Sequence, residues 1–248
     1  MNKRNVVVGG ALGLVVVVLG MAWWLGFFSD SPEAVTLDAA VAAVGDDAGE
    51  TTSTEAAASA SDESTTVEDA PGIDGEWTVQ ANADATFVGY RINEVLSTIG
   101  DFEVVGRTAD VAGTLAIDGT TITDVSVVAQ MGSLTTDSSL RDGAMRRQAL
   151  ETAQFPDAMF TLTSSIELES VPADSEPIQT TAMGDLTIHG VTQAVDFPLE
   201  AQIVGDSIVV VGQLPVLLAD YDISLPTAPI VASVEDNAVL ELSLVLTR

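Results

Sequence analysis

The stretch GDLTIHGVTQAVDFPL, residues 184–199, has apolar and polar side chains that alternate along the chain. Leu186 and Ile188 precede the dipeptide His189-Gly190, and a second alternating run follows it. The apolar members of that second run are Val191, Val195, Phe197, Leu199, Ala201 and Ile203. A period of two places successive side chains on opposite faces of a strand. The stretch therefore predicts two half-buried strands joined by a tight turn.

The same period recurs through most of the chain beyond Glu76. It is clear in three further runs: DVAGTLAI (110–117), AMFTLTSSIEL (158–168) and VLELSLVL (239–246). Tight hairpin turns are indicated by DGT at 118–120 and by GDS at 205–207. Many antiparallel strands with short turns are typical of a sandwich or a barrel. We therefore expect residues 76–248 to form a mainly β domain.

One segment, residues 135–156, departs from this period and has helical spacing instead. Asp137 is its candidate cap, and Pro156 is expected to end it. Leu140, Ala144 and Met145 would share one face. A single helix in a domain of strands can cover an open barrel end. We expect this helix to lie over one mouth of the barrel.

The N-terminus predicts a membrane anchor. Residues 6–28 contain no charge and would span roughly 30 Å of hydrocarbon. Lys3 and Arg4 precede this span, so the N-terminus should be cytoplasmic and the chain after Phe28 extracytoplasmic. A cleaved signal peptide is the alternative, but its apolar stretch would be shorter and end at small residues. The GxxxG spacing of Gly9 and Gly13 would allow a homodimer, although such spacing also arises by chance in a Gly- and Val-rich span.

Residues 29–75 are small, polar and acidic, with no basic residue among them. Such a segment buries too little apolar surface to offset the entropy of ordering. We predict a disordered acidic linker between the anchor and the domain. Within it, residues 31–44 could form a short helix with Ser31 as its cap and Pro32 in its first turn.

Charge and composition exclude several classes of function. The chain has eight basic and 37 acidic residues, which gives a formal net charge of −29. Such a surface repels the phosphates of nucleic acids, so a nucleic-acid partner is not expected. The chain has no cysteine, which excludes thiol catalysis, disulfides and Cys-zinc sites.

Three stretches resemble the YceI-like family of exported polyisoprenoid-binding proteins. The first is Thr136 with Arg141-Asp142 and Met145, the second is FPDAMFTLTSS at 155–165, and the third is GDLTIHGVTQAVDFPL at 184–199. The resemblance covers about residues 76–248. It implies an eight-stranded antiparallel lipocalin-like barrel that holds a long isoprenoid chain, such as a quinone tail. Many members carry a histidine near the end of their first strand, and here Glu94 stands near that place.

His189, the only histidine, has a structural and a catalytic interpretation. Asp185 precedes it by four strand residues, about 13 Å, which is too far for its carboxylate to orient the imidazole. We favour a histidine beside a turn, pointing away from the core and hydrogen-bonded to the backbone. A hydrolase or isomerase that uses His189 is the competing hypothesis, and we expect no enzyme activity and no required cofactor.

The interior of a barrel of eight strands is either filled by side chains or left to hold one ligand. The small residues Gly113, Ala129, Ser164 and Ala201 on the predicted inward face leave room. With the resemblance, they favour a cavity that binds an isoprenoid lipid or quinone. A filled barrel that serves as a structural or adhesive surface module is the alternative. The predicted ligand-binding residues are Phe87, Leu115, Met131, Leu140, Met145, Phe155, Phe160, Leu162, Phe197 and Arg141.

Arg141 also has two interpretations. Its guanidinium could bind an anionic head group at the barrel mouth. It could instead tie the helix to the barrel rim, while Asp142 accepts hydrogen bonds from the amides of the first helical turn.

Overall fold

The computed structural model describes residues 31–47, 72–81, 85–96, 100–225 and 231–248. The chain divides into two units, Met1–Glu33 and Ala34–Arg248. The predicted anchor at 6–28 and the linker residues 48–71 lie outside the described residues. Among the described helices, none has the length and apolar character needed to cross a bilayer.

The second unit is mainly β, as the sequence predicts. Its described strands are β1 Gly75–Val79, β2 Phe87–Leu96, β3 Gly100–Thr108, β4 Val111–Asp118, β5 Thr121–Gln130, β6 Asp157–Leu162, β7 Ile166–Glu167, β8 Ile178–Ile188, β9 Val191–Val204, β10 Ser207–Leu217 and β11 Val231–Thr247. Its described helices are α1 Leu37–Asp47 and α2 Ser139–Ala144, which continues into a π-helical turn Met145–Ala149, and the 3₁₀ turns Met131–Ser133 and Leu218–Tyr221.

Eight of these strands close into an antiparallel barrel. The ring runs β1-β4-β5-β6-β8-β9-β10-β11 and returns to β1. Closure depends on β1, which pairs with β4 along Gly75–Thr78 and with β11 through Thr78 and Val79. The β2–β3 hairpin extends from the other part of the β11 edge, and β7 pairs with β5. The predicted eight-stranded barrel is confirmed.

The predicted tight turns are present. His189 and Gly190 form the two-residue loop between β8 and β9, with φ angles of 52° and 75°. Positive φ at both positions is typical of a type I′ turn, which matches the twist of the flanking strands. A Cβ on Gly190 would lie 2.5 Å from a ring carbon of Phe155, so packing also requires glycine there.

The pairing of β9 with β10 covers only part of their lengths. It ends at Leu199 and Gly212, and Pro198 and Pro215 lie beyond these last paired residues. Proline has no N–H to donate and is tolerated where a ladder is interrupted. The 3₁₀ turn after β10 rejoins the two strands, because the Gln193 amide donates to the Asp220 carbonyl over 2.8 Å.

Helix α1 overlaps the short helix predicted at 31–44 within the linker segment. Thr36, not Ser31, caps it, since the Thr36 hydroxyl accepts the Ala39 N–H. Leu37 and Ala40 pack against Val209 and Val211 on the outer face of β10. The physical reason lies in β10 itself, which is apolar on both faces and therefore needs a cover on its outer side.

The helix predicted over 135–156 is shorter than expected. Ser138, not Asp137, caps α2. Leu140 is 86% exposed, so it does not lie on a buried face with Met145, as its predicted ligand contact required. The π-helical turn shifts the register after Ala144 and places Met145, Ala149 and Leu150 on the core instead.

A buried ion cluster lies on the outer face of β11. The Glu241 side chain is fully buried, 2.7 Å from Arg91 Nε and 3.1 Å from Arg107 Nη2. Arg91 also pairs with Glu103 at 2.6 Å, and the Val35 N–H lies 3.4 Å from Glu241 Oε1. Burial lowers the pKa of Arg91, but the hydrogen bond and charge of Glu241 outweigh this and raise it above its usual value. The cluster holds β2, β3 and β11 together and joins them to the segment around Val35, just before α1.

We expect Glu241→Gln to lower the free energy of unfolding by about 3 kcal/mol, because two arginines would lose the carboxylate that neutralises them in a buried place. Urea denaturation of the full-length protein in detergent measures this change. Glu235→Gln, at an exposed position on the same strand, is the matched control and should change it by less than about 0.5 kcal/mol. Equal effects of the two substitutions would show that the cluster contributes nothing specific.

Candidate ligand-binding site

The barrel encloses a cavity of about 220 Å³. Its lining residues come from both ends of the barrel. Tyr90, Met131 and Met145 line it at the helix end, where α2 and the β8–β9 turn lie, and Ile73 and Ile203 line it at the opposite end. The wall that faces the cavity is almost entirely apolar. Such a space favours a hydrocarbon ligand over a polar one.

The inward faces of the strands explain why the barrel is hollow. Phe160, Leu240 and Leu242 point inward and line the cavity, yet they are only partly buried. Their remaining exposure is to the cavity. Small side chains contribute to the space: Ala129, Ala158, Ala182 and Ala201 all line it.

Of the four small residues predicted to face inward, two line the cavity and two do not. Ala129 and Ala201 line the cavity. Ser164 is exposed in a bend after β6, so its predicted inward position is wrong. At Gly113 a Cβ would lie 2.6 Å from the Ser126 carbonyl oxygen, so this glycine serves the close approach of β4 to β5.

Five of the ten predicted ligand-binding residues line the cavity. These are Leu115, Met131, Met145, Phe160 and Phe197. The rings of Phe160 and Phe197 meet edge to face with centroids 6.3 Å apart, which fixes the shape of the wall between β6 and β9. The binding role of all ten residues stays a prediction.

The other five predicted residues lie elsewhere. Phe87 faces outward, with the Arg107 guanidinium 4.1 Å from its ring centroid, and the exposed Leu140 contributes to no wall. Phe155 packs against His189 at the rim. Leu162 joins a neighbouring apolar cluster with Ile166. Arg141 lies in a polar cluster at the helix end, where it pairs with acidic side chains.

Several lining residues were not predicted as ligand contacts, although the sequence contained a signal for them. Leu186 belongs to the quoted alternation of β8, and Leu240, Leu242, Leu244 and Leu246 alternate along β11. Tyr90 carried no such signal, because the polar residues around it obscure the period of β2.

The polar cluster at the helix end comprises Tyr90, Glu94, Asp137, Arg141 and Asp142. Arg141 Nη2 lies 3.5 Å from Glu94 Oε2, and its Nη1 pairs with Asp137. This pairing ties the helix to β2. Burial raises the pKa of Tyr90 well above its usual value, and the acidic neighbours add to this while Arg141 opposes it. Tyr90 therefore stays a neutral phenol at physiological pH.

Asp142 stabilises the loop before α2 through hydrogen bonds. It is buried, and its Oδ1 accepts hydrogen bonds from both the backbone N–H and the hydroxyl of Thr136, each over 2.8 Å. The prediction that Asp142 serves the first-turn amides is wrong, because the Ser138 hydroxyl accepts the Arg141 N–H there.

His189 joins three segments at the rim of the helix end. Its Nδ1 lies 3.2 Å from the Tyr221 carbonyl oxygen, and its Nε2 lies 3.1 Å from Glu151 Oε2. The predicted hydrogen bond to the backbone is confirmed. The side chain is only 10% exposed, however, so neighbouring rim residues cover it and it does not point freely into solvent, as its predicted outward orientation implied. The positive φ of His189 takes it out of the strand alternation on which that orientation rested.

The comparisons with known proteins agree with this architecture. The profile of the YceI-like domain matches residues 77–246. No curated protein matches the chain. Among solved structures, a polyisoprenoid-binding domain from Saccharophagus degradans implicated in plant cell wall breakdown is similar, with a TM-score of 0.54 and 19% identity, covering 69% of this chain and 97% of that one.

Two further solved structures are similar at lower scores. BcnA of Burkholderia cenocepacia has a TM-score of 0.48 and 14% identity, covering 64% of this chain and 95% of its own. The YCEI protein of Campylobacter jejuni has a TM-score of 0.48 and 18% identity, and the match covers 58% of this chain and 84% of that protein. The profile match extends over more than half of the sequence, and the chain belongs to the YceI-like domain family.

Proposed function

We propose that this protein is a membrane-tethered, extracytoplasmic binding protein that holds the tail of an isoprenoid lipid or quinone inside its barrel. The apolar cavity is the observation that carries this proposal. A hydrocarbon tail gains about 0.8 kcal/mol for each methylene group removed from water, so a long tail binds without directional contacts. The apolar lining of the cavity extends from Tyr90 at the helix end to Ile203 at the opposite end.

Family membership supports a lipophilic ligand. The polyisoprenoid-binding domain from Saccharophagus degradans shares the fold of this chain. The proposal extends the ligand class of that domain to this protein because the interior of this barrel is hollow and apolar.

The membrane tether is supported by the sequence alone. Residues 6–28 are uncharged and long enough to span a bilayer, and Lys3 and Arg4 precede them. A tethered barrel would meet its lipid at the outer surface of the membrane that contains it.

The two alternatives fit the structure less well. A structural or adhesive module was expected to have a filled barrel, whereas this one is hollow. A catalytic His189 would need a ring nitrogen available to a substrate. Its two nitrogens instead face the Tyr221 carbonyl and the Glu151 carboxylate.

Organic extraction of the full-length protein, followed by mass spectrometry, should recover an isoprenoid lipid or quinone. Ala201→Phe should reduce the recovered lipid about tenfold or more, because Ala201 lines the cavity and a phenyl ring there would occupy the tail's space. Lipid per mole of folded protein is the quantity to measure.

Ala194→Phe is the matched control, since Ala194 is exposed on the same strand. It should leave the lipid content unchanged, and thermal unfolding of both variants establishes that they are folded. Wild-type protein that carries no lipid and takes up no added quinone would contradict the proposal.

Affinity should also depend on tail length. For prenyl alcohols of increasing length, we expect the dissociation constant to fall with each added isoprene unit until the cavity is full, and then to level off. Competition against a radiolabelled prenol gives these constants. An affinity independent of length would indicate binding on the surface rather than in the interior.

A further inference from the structure

The barrel wall is interrupted on one side of the helix end. The ladder between β9 and β10 stops at Leu199 and Gly212, although both strands extend further toward this end. The 3₁₀ turn that follows β10 lies against this side, where the side chains of Gln193 and His189 bond to two of its backbone carbonyls. This side of the mouth is therefore held in part by side-chain hydrogen bonds in place of a strand ladder.

His189 joins the 3₁₀ turn to a second segment, the rim loop at residues 151–155. Its Nδ1 lies 3.2 Å from the Tyr221 carbonyl oxygen, and its Nε2 lies 3.1 Å from Glu151 Oε2. The rim loop directly follows Leu150, which lines the cavity. The imidazole therefore connects the β8–β9 turn to both the 3₁₀ turn and the rim loop, next to the cavity wall.

Both groups that the imidazole meets are hydrogen-bond acceptors. A backbone carbonyl oxygen and an ionised carboxylate have lone pairs and no proton to donate. The doubly protonated ring donates to both, and its charge also attracts the Glu151 carboxylate. A neutral ring carries one N–H, so one of its two nitrogens then turns a lone pair toward an oxygen. Loss of a proton from His189 thus weakens its hold on either the rim loop or the 3₁₀ turn.

The charged residues on the segments that pack against His189 are acidic. They are Glu151 on the rim loop, and Asp220 and Asp222 at the 3₁₀ turn. The two arginines before the rim loop are directed elsewhere, because Arg146 donates to backbone carbonyls that precede α2 and Arg147 folds back along α2. Within the described part of the chain, no arginine is hydrogen-bonded or ion-paired at the imidazole.

We propose that His189 is a proton-operated latch at the mouth of the cavity. When its ring is doubly protonated, the rim loop and the 3₁₀ turn are both held to the β8–β9 turn, and the helix end is closed. When the ring loses a proton, this side of the mouth loosens and a bound tail exchanges faster. Histidine is the side chain that most often gains or loses a proton between pH 5 and pH 8, so exchange is slow in acid and faster at mildly alkaline pH. This inference rests on the proposed function, since it assumes a tail that passes the helix end.

The first test follows a radiolabelled prenol of four isoprene units as it leaves the full-length protein in detergent during a chase with unlabelled prenol. The wild-type dissociation rate should rise about fivefold from pH 5 to pH 8. The rise is modest because the Glu151 side chain is 52% exposed, and ion pairs open to solvent are weak. Glu151→Gln should hold the rate constant within about twofold, because an amide both donates and accepts and so bonds either form of the ring.

Two further variants complete this test. His189→Asn keeps a residue that tolerates the positive φ of the turn but is too short to reach both partners, so dissociation should be fast at both pH values. Asp185→Asn is the matched control for Glu151→Gln, because Asp185 is an exposed carboxylate on β8. It should keep the full rise with pH. Thermal unfolding of each variant establishes that it is folded.

A second test needs no ligand. The chain has no cysteine, so Ala153→Cys and Ala219→Cys in one molecule provide its two sites for spin labels. Both alanines are exposed, one on the rim loop and the other on the 3₁₀ turn. Double electron–electron resonance should give a narrow distance distribution at pH 5 and a broader, longer one at pH 8. With His189→Asn added, the broad distribution should be present at both pH values.

The outcomes separate this inference from the function on which it rests. His189 is the only histidine, so its ring NMR signals report its protonation, and the dissociation rate should change with the same midpoint. A rate that is equal at pH 5 and pH 8, a rise that persists in Glu151→Gln, or a label distance that does not change with pH overturns the latch and leaves tail binding intact. If no prenol binds while the label distance changes with pH, the proposed function fails and the latch stands.

Discussion

The hydrogen bonds of a strand of five residues, β1, close the barrel. β1 pairs with β4 on one side and with the last residues of β11 on the other. Trp77 fixes it in place, because its indole N–H donates to the Ile73 carbonyl over 2.9 Å and Arg248 lies over its ring. Without β1 the edges of β4 and β11 would be open, and water would reach the apolar interior along them. The cavity exists as a dry space because this strand is present.

Closure of the barrel also leaves side chains on its outer face that other segments of the chain must shield from water. On β10, Val209 and Val211 point outward and are covered by α1. On β11, Glu241 points outward and is buried with Arg91 and Arg107 under the N-terminal segment. The segment 34–47 therefore belongs to the fold of the barrel.

Alternation along single strands made much of this fold predictable. It identified strands of the ring, three of the hairpin turns, and the inward positions of Leu115, Phe160 and Phe197. It could not reveal contacts between distant segments. Glu241 meets residues about 150 positions away, and no local pattern encodes such a pair. The outward position of Phe87 was recoverable in principle, because it has the opposite parity to Tyr90 on β2.

Other differences arise where the backbone leaves a regular period. Leu140 was predicted to share a face with Met145 by assuming one continuous α-helix, but the π-helical turn rotates the residues after Ala144, so Met145 lines the cavity while Leu140 is exposed. His189 was assigned an orientation by strand parity, yet it lies in a turn with positive φ.

The site combines two physical effects that act at different points. In the function we propose, the tail is held by burial of apolar surface, which is strong but does not distinguish one hydrocarbon from another. Selection must therefore come from the few polar groups at the helix end. Tyr90 keeps its proton because burial raises its pKa, so it adds no charge to that end. Arg141 is already paired there with Glu94 and Asp137. In the function we propose, affinity thus comes from the apolar wall and selectivity from polar groups at the rim, so one can change while the other stays the same.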